Sequence, residues 1–261
     1  MQGDGSQANP YIPENWADFV TACETSGAYV SVPQGTVYEF NEIAPSGFSG
    51  TITVKALKIE GNGLIINNLR YNSNGKFIAN TAWNNEIYDI NFTNMYFTNG
   101  NFASSGGEYG SYFYHCRFSG EFYGNSVFLG TQSFFFKENN GKGCSFNLKF
   151  AENSVFHSSS KNVFIYNGNI KLSGESTGQM MTIYAYDSQF TGKMPFSSVA
   201  FSTADRCIFD MDIENISSNS GTSVLNSDRL TGTQSGFLTA DSQQIRNAEY
   251  LRNIGFPIGV D

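Results

Sequence analysis

Hydrophobic and polar positions alternate along most of this chain in short runs, among them "YVSV", "TITV", "LIINN", "VFIY" and "TIYAY". Successive side chains of a strand point to opposite faces, so each run predicts a short, half-buried strand. Asn, Ser, Gly and Asp separate the runs and supply turns. Two stretches follow a helical period instead. In "NWADFVTACETSG" (15–27), Trp16, Phe19, Val20 and Cys23 fall on one helix face, Asn15 can cap it and Gly27 can end it. "LTADSQQIRNAEYLRNIGFPIG" (238–259) predicts a second helix capped by Thr239 or Asp241, with Ile245, Ala248 and Leu251 as its stripe. Gly255 and Pro257 stop it.

Aligning the strands on phenylalanine brings out a repeat: "DINFTN", "HCRFSG", "GCSFNL", "NSVFHS", "DSQFTG" and "RCIFDM". Phe92 to Phe118 is 26 residues, Phe118 to Phe146 is 28, and Phe190 to Phe209 is 19. The 44 residues from Phe146 to Phe190 hold two turns, and Phe156 falls on another face. Such an irregular period suits a loose β-solenoid. Two positions before the Phe stand Ile90, Cys116, Cys144, Ser154, Ser188 and Cys207, which share its inward face. The predicted core ladder is therefore Phe92, Cys116, Phe118, Cys144, Phe146, Phe190, Cys207 and Phe209. One position after the Phe stand Thr93, Ser119, Asn147, His157, Thr191 and Asp210, a polar column assigned to the outer face, His157 included. Three before it stand Asp89, His115, Gly143, Asn153, Asp187 and Arg206, residues suited to a bend. "HCRFSG" is thus a rung, not the corner of an active site.

The polar opening "GDGSQANPY", the first coil "AYVSVPQGTVYEF", the turn "IEGNGLIINN" (59–68) and the irregular rungs together resemble the right-handed parallel β-helix, or pectin-lyase-like, superfamily over nearly the whole length. The resemblance implies an all-β fold, a single right-handed parallel β-helix solenoid with short capping helices. Residues 1–27 would form the N-terminal segment and cap, 28–237 the β-helix, and 238–261 the C-terminal cap and tail. A start without an export signal, the low charge and the helical tail look most like bacteriophage virion β-helices such as head decorations, fibres or tail appendages.

Charge narrows the partners. The formal net charge is −8, charged residues make up 15%, and no basic cluster occurs, so a nucleic-acid backbone or an anionic membrane would be repelled. No apolar run approaches the roughly 20 residues of a membrane span. The four cysteines lack metal-ligand spacing, and three share the inward register, so reduced, buried thiols are expected and no cofactor is implied.

Two features bear on function. "FDMDIEN" (209–215) turns Asp210, Asp212 and Glu214 outward, the weak candidates for a metal or an acid–base pair. The preceding coil offers Gln189 and Thr191 at the matching columns rather than carboxylates, so no catalytic residue is assigned. In "SFFFKE" three consecutive rings cannot all face inward, so Phe135 or its two neighbours need cover from outside, and "SYFYH" raises the same question for Phe113. A loop or another chain could supply that cover, and a partner interface at Phe113 and Phe135 is the preferred reading. The expected function is a non-enzymatic virion component, docked on other particle proteins or on copies of itself, for example as a trimer. The alternative is an extracellular or cell-surface carbohydrate-active β-helix, or an adhesin that binds a host glycan.

Overall fold

The structure, a computed structural model, describes residues 1–40, 51–71, 76–80, 84–104 and 110–256, with the backbone alone at 79 and 80. Its strands are parallel and wind into a coil with distinct walls. The first wall carries Tyr29–Ser31, the opening residues of the long strands Lys58–Asn67 and Asn85–Thr98, then Ser111–Tyr114, Phe134–Lys137, Val163–Tyr166, Met181–Tyr186, Ser198–Asp205 and Asn215–Ser218. The second carries Val37–Glu39, the remainder of the two long strands, Arg117–Tyr123, Ser145–Glu152, Asn169–Ser176, Gln189–Lys193, Ile208–Asp212, Ser223–Asn226 and Phe237–Ala240. A separate five-stranded sheet is the third wall, from Ile52–Val54 to Val155–His157. The fold is a parallel β-helix.

Between the first two walls the chain bends at Asp89, His115, Asn167, Asp187 and Arg206, all left-handed with φ between 50° and 51°. Asn, Asp and His tolerate that region best, which accounts for Asp89, His115 and Asp187 in the column read from the sequence; Gly143 and Asn153, placed in the same column, are not left-handed. Arg206 suits it least and is held by two hydrogen bonds to Asp187, Nε to Oδ1 and Nη2 to Oδ2, both 2.6 Å.

Inside, Phe92, Phe118 and Phe146 stack on successive rungs at 5.5 and 5.3 Å, and Phe102 and Phe128 from the third wall meet Phe118 edge-on. Phe190 and Phe209 continue the column lower down, 4.5 Å apart. Cys116, Cys144 and Cys207 are buried free thiols in the same coil, and Cys23 is a buried free thiol on the inner face of the helix Trp16–Glu24. Burial pushes the thiols of Cys144 and Cys207 up to about 12.

The coil then loses a wall. Arg117 lies opposite Ser145, 28 residues on; Asn169 lies opposite Gln189, 20 on; Ser223 lies opposite Phe237, 14 on. The third sheet ends at Val155–His157, and in the next coil the chain crosses directly from the second-wall strand Asn169–Ser176 to the first-wall strand Met181–Tyr186 through Gly178. A Cβ there would sit 2.0 Å from the carbonyl oxygen of Ser154, so only glycine permits the crossing.

His157 corrects the sequence reading. It belongs to the third wall, where Phe156 and His157 are both buried at a corner, so the "F-then-polar-outward" rule of the second wall does not transfer. The C-terminal segment also differs. Phe237–Ala240 is the last rung, followed by two short helices, Ser242–Ile245 and Ala248–Asn253, rather than one. Asp241 caps the first in a capping box with Gln244, and Asn247 caps the second. Pro257 lies outside the described residues. At the other end, helix Trp16–Glu24 is capped by Asn15, and Trp16 packs on Tyr38 and Phe40 at 5.2 and 4.9 Å. Among the described residues no helix is long and apolar enough to cross a membrane.

Candidate functional site

Two of the three candidate carboxylates, Asp210 and Asp212, are occupied by arginines. Asp210 accepts from Arg246 Nε (2.9 Å), from Asn226 Nδ2 (2.8 Å) and from Arg229 Nη1 (3.4 Å), while Asp212 accepts from Arg229 Nε at 2.7 Å. Partial burial raises the Asp210 carboxyl, but the hydrogen bonds from Arg246 and Asn226 and the Arg246 charge outweigh it and hold the group below its ordinary value. Among the described residues, Glu214 accepts a hydrogen bond only from its neighbour Asn215, at 3.3 Å. Guanidinium groups stand where a cation would have to sit. Among the described residues no group of three or more His, Cys, Asp or Glu side chains is placed to hold a metal.

Asp212 and Glu214, but not Asp210, border a cleft of about 720 Å³ beneath the end of the third wall. Its apolar lining is Met194, Phe196 and Ile213, and its rim includes Glu152, Glu175 and Lys193. Glu152 accepts from the backbone N–H of Gly124 at 2.7 Å, and Glu175 is paired with Lys193. The Lys193 hydrogen bond lowers the Glu175 pKa. A general acid needs the opposite, a carboxyl raised by burial or by a like charge.

A second depression, of about 490 Å³, lies on the outer surface of the second wall around Gly120 and Met95. Arg70, Ser119, Asn147 and Ser173 line it, and their side chains make no hydrogen bond among the described residues. Arg70 lies 5.3 Å over the ring of Tyr96, which is 37% exposed. Beside it, Lys149 donates to Tyr123 Oη (2.8 Å) and to Glu121 (3.2 Å).

The largest feature is on the first wall. Tyr112, Phe135, Phe164 and Tyr184 occupy one outward column, stacked at 4.5, 4.9 and 4.7 Å with planes within 23° of parallel. A second column, two residues on, holds Tyr88 on Tyr114 at 4.3 Å, then Lys137, then Tyr166 on Tyr186 at 5.1 Å. Lys58 and Lys137 lie over Tyr88 and Tyr112 at 4.5 and 5.1 Å. All eight rings are half-buried. Their faces are covered by one another, so the flank presents ring edges and tyrosine hydroxyls.

This arrangement revises the expected interface. Phe113 and Phe136 point inward and stack at 5.3 Å, so Phe113 touches no partner. Phe135 does point outward, but Tyr112, Phe164 and the backbone at Gly110, where a Cβ would meet its ring at 2.5 Å, already cover it. The signal in the sequence was the outer pair two residues apart in "YFY", "FFFK", "VFIY" and "IYAY", visible once those runs are set in register rather than read singly.

The sequence matches no protein-family model, and neither the curated proteins nor the solved structures contain a significant match. What defines the chain is its architecture: a parallel β-helix, capped by a helix at one end and two short helices at the other, with an aromatic outer flank.

Proposed function

We propose that this protein is a non-enzymatic structural component that docks on a protein surface, its own copies included, through the aromatic flank of the first wall. A particle such as a bacteriophage virion, suggested by the resemblance of its sequence, is the setting we favour. One observation carries the reading: eight outward rings in two columns, the first stacked without a break and the second interrupted by Lys137. Tyrosine and phenylalanine are enriched at interfaces, and rings already fixed by stacking lose little side-chain entropy on binding. The partnered carboxylates of the cleft support the non-enzymatic part. The test is the mass of the purified protein by mass photometry, with hydroxyl-radical footprinting of the flank in its native assembly. Association that is lost in Tyr166→Glu, with the coil still folded by circular dichroism, is expected. A monomer whose flank is as reactive inside the assembly as outside it would overturn the reading.

The depression around Gly120 favours a second reading, glycan binding. Its hydroxyl, amide and guanidinium groups, which make no hydrogen bond among the described residues, suit sugar hydroxyls beside an exposed tyrosine. Titration with oligosaccharides, lost in Arg70→Ala and Asn147→Ala together, would establish it. No binding at millimolar ligand would remove it.

A further inference from the structure

The ring of His157 spans the seam at which the three-walled coil becomes two-walled. It is 0% exposed. Its Nδ1 lies 3.1 Å from the carbonyl oxygen of Met181, which opens the first-wall strand below the seam. Its Nε2 lies 3.3 Å from that of Gln132, in the chain leading into Phe134–Lys137 above it. A neutral imidazole has one N–H, so it can donate to only one of these oxygens while a lone pair faces the other. An imidazolium would donate to both, but as an ion buried without a counter-charge. Leu129 lies in register beside His157, the Phe134 ring meets it edge-on at 6.3 Å, and Gln132 and Met181 turn carbonyls to it. Among the described residues no titratable or charged side chain faces it from these elements. Desolvation of an unpaired ion outweighs one added charged hydrogen bond.

The seam is costly in other ways. Thr182, next to Met181, is a β-branched residue in the left-handed region at φ 62°, and the register shifts there between Met181 and Ile183. Gln132 Oε1 is buried without a partner. Across the seam, the Phe156 N–H donates to the carbonyl of Gln179 at 3.0 Å, tying the crossing segment to the last strand of the third wall.

We propose that this seam is an acid-sensitive latch: a proton taken up by His157 releases the crossing segment 177–182 from strand Val155–His157. Burial holds the ring below its ordinary value of 6.5, against the raising effect of the two carbonyls. A base whose folded value is depressed gives stability that is complete above 6.5 and is lost as the pH falls below it. Asp210, Glu121 and Glu175 are held below their ordinary carboxylate values and titrate at lower pH, outside this window.

Hydrogen exchange of the Phe156 amide, corrected for its intrinsic rate, tests the latch. From about pH 7.5 to about pH 5 its protection should fall about tenfold or more, while the Phe118 amide, well inside the wide coil, stays protected. His157→Gln keeps a donor but does not titrate, and should flatten the response. His115→Gln should leave it intact, because His115 pairs with Asp89 on the outside of the coil. If His157→Gln does not fold, ring titration of the wild type by NMR replaces it, with the proton expected to bind in the same interval as the amide is released. Unchanged Phe156 protection, or a His157 that titrates at or above 6.5 in the folded protein, would overturn the proposal.

Discussion

Above the seam the coil has three walls and below it two, and the two halves are held together differently. In the wide half, rings from every wall meet near the axis: Phe118 touches Phe92 and Phe146 along its own column, Phe102 and Phe128 from the third wall, and Phe113 and Phe136 from the first. In the narrow half the two walls meet directly. Phe201 packs edge-on against Phe190 and Phe209 at 5.4 Å, and small residues such as Ala185, Ala204 and Cys207 fill the rest. Charge pairs then lace the outside, with Arg206 on Asp187, Arg229 on Asp210 and Asp212, and Arg246 on Asp210. Coil perimeter decides the chemistry. About 28 residues per turn surround Phe118 with six rings, whereas 14 to 20 surround Phe209 with three, and polar ties take over part of the work.

The sharpest way to break this contrast is to empty the centre of the wide half. Phe118→Ala should cost about 3–5 kcal/mol, because six surrounding rings cannot collapse into the space. Phe209→Ala should fall at or below the bottom of that range, since two walls can close more readily on a gap. Urea denaturation with unchanged m-values checks both, and equal losses would refute the distinction. Arg229→Met comes next, at about 1–2 kcal/mol, the cost of leaving partly buried acceptors unmatched. Arg229 also donates to the carbonyls of Asp210 and Gly192, so the loss should show as faster hydrogen exchange in 208–212 and in the last rung 237–240, with the wide coil unaffected.

Columns of the second wall were legible in the sequence, the change from three walls to two was not, and the reasons differ by residue. The second wall repeats one motif, so its Phe and Cys columns and its bend residues could be aligned without coordinates. Phe156 was legible as lying on another face because it broke the spacing. His157 was not, because a corner residue of the third wall does not obey the alternation of a flat strand, and sequence alone did not say that the strand ended there. Phe113 and Phe135 were opposite cases in similar runs. Only the register of Phe135 with Tyr112, and of Phe136 with Phe113, decides which ring is inside. The cover on Phe135 was invisible for a related reason: it comes from rings 23 residues earlier and 29 later, which meet only because the coil repeats. Asp210 and Asp212 looked like a site because their arginine partners follow 17 to 36 residues later.

Acid should sharpen the comparison at lower pH than the His157 latch. The hydrogen bonds that hold Asp210 below its ordinary 3.8 give stability that is complete above that value and is lost as the pH falls through the depressed one. Below about pH 4 the C-terminal cap should therefore loosen before the wide coil, by about 1 kcal/mol. Asp210→Asn should be less stable at neutral pH and should lose that extra acid sensitivity. Near-ultraviolet circular dichroism beside exchange of the Ile245 and Leu251 amides would follow it, and simultaneous loss of both halves would count against a cap held by charge.

The smallest effect belongs to the outer ladder. Phe135 and Phe136 are consecutive residues of one strand, the first stacked among rings on the surface and the second inside the coil. Phe135→Leu should cost only about 0.5–1 kcal/mol, the low end for stacked rings, because leucine keeps apolar surface between Tyr112 and Phe164 and the site is open to solvent on one side. Phe136→Leu removes ring surface from a closed interior, where Phe113, Phe118 and Phe146 cannot follow it, and should cost clearly more. The pair also separates folding from docking. If the flank is an interface, Phe135→Leu should weaken association out of proportion to its small loss of stability, while Phe136→Leu should weaken it only as far as the coil itself is destabilised. Paired urea midpoints and dissociation constants for the two variants decide the matter, and a Phe135→Leu protein that associates like the wild type would leave the outer ladder with a structural role alone.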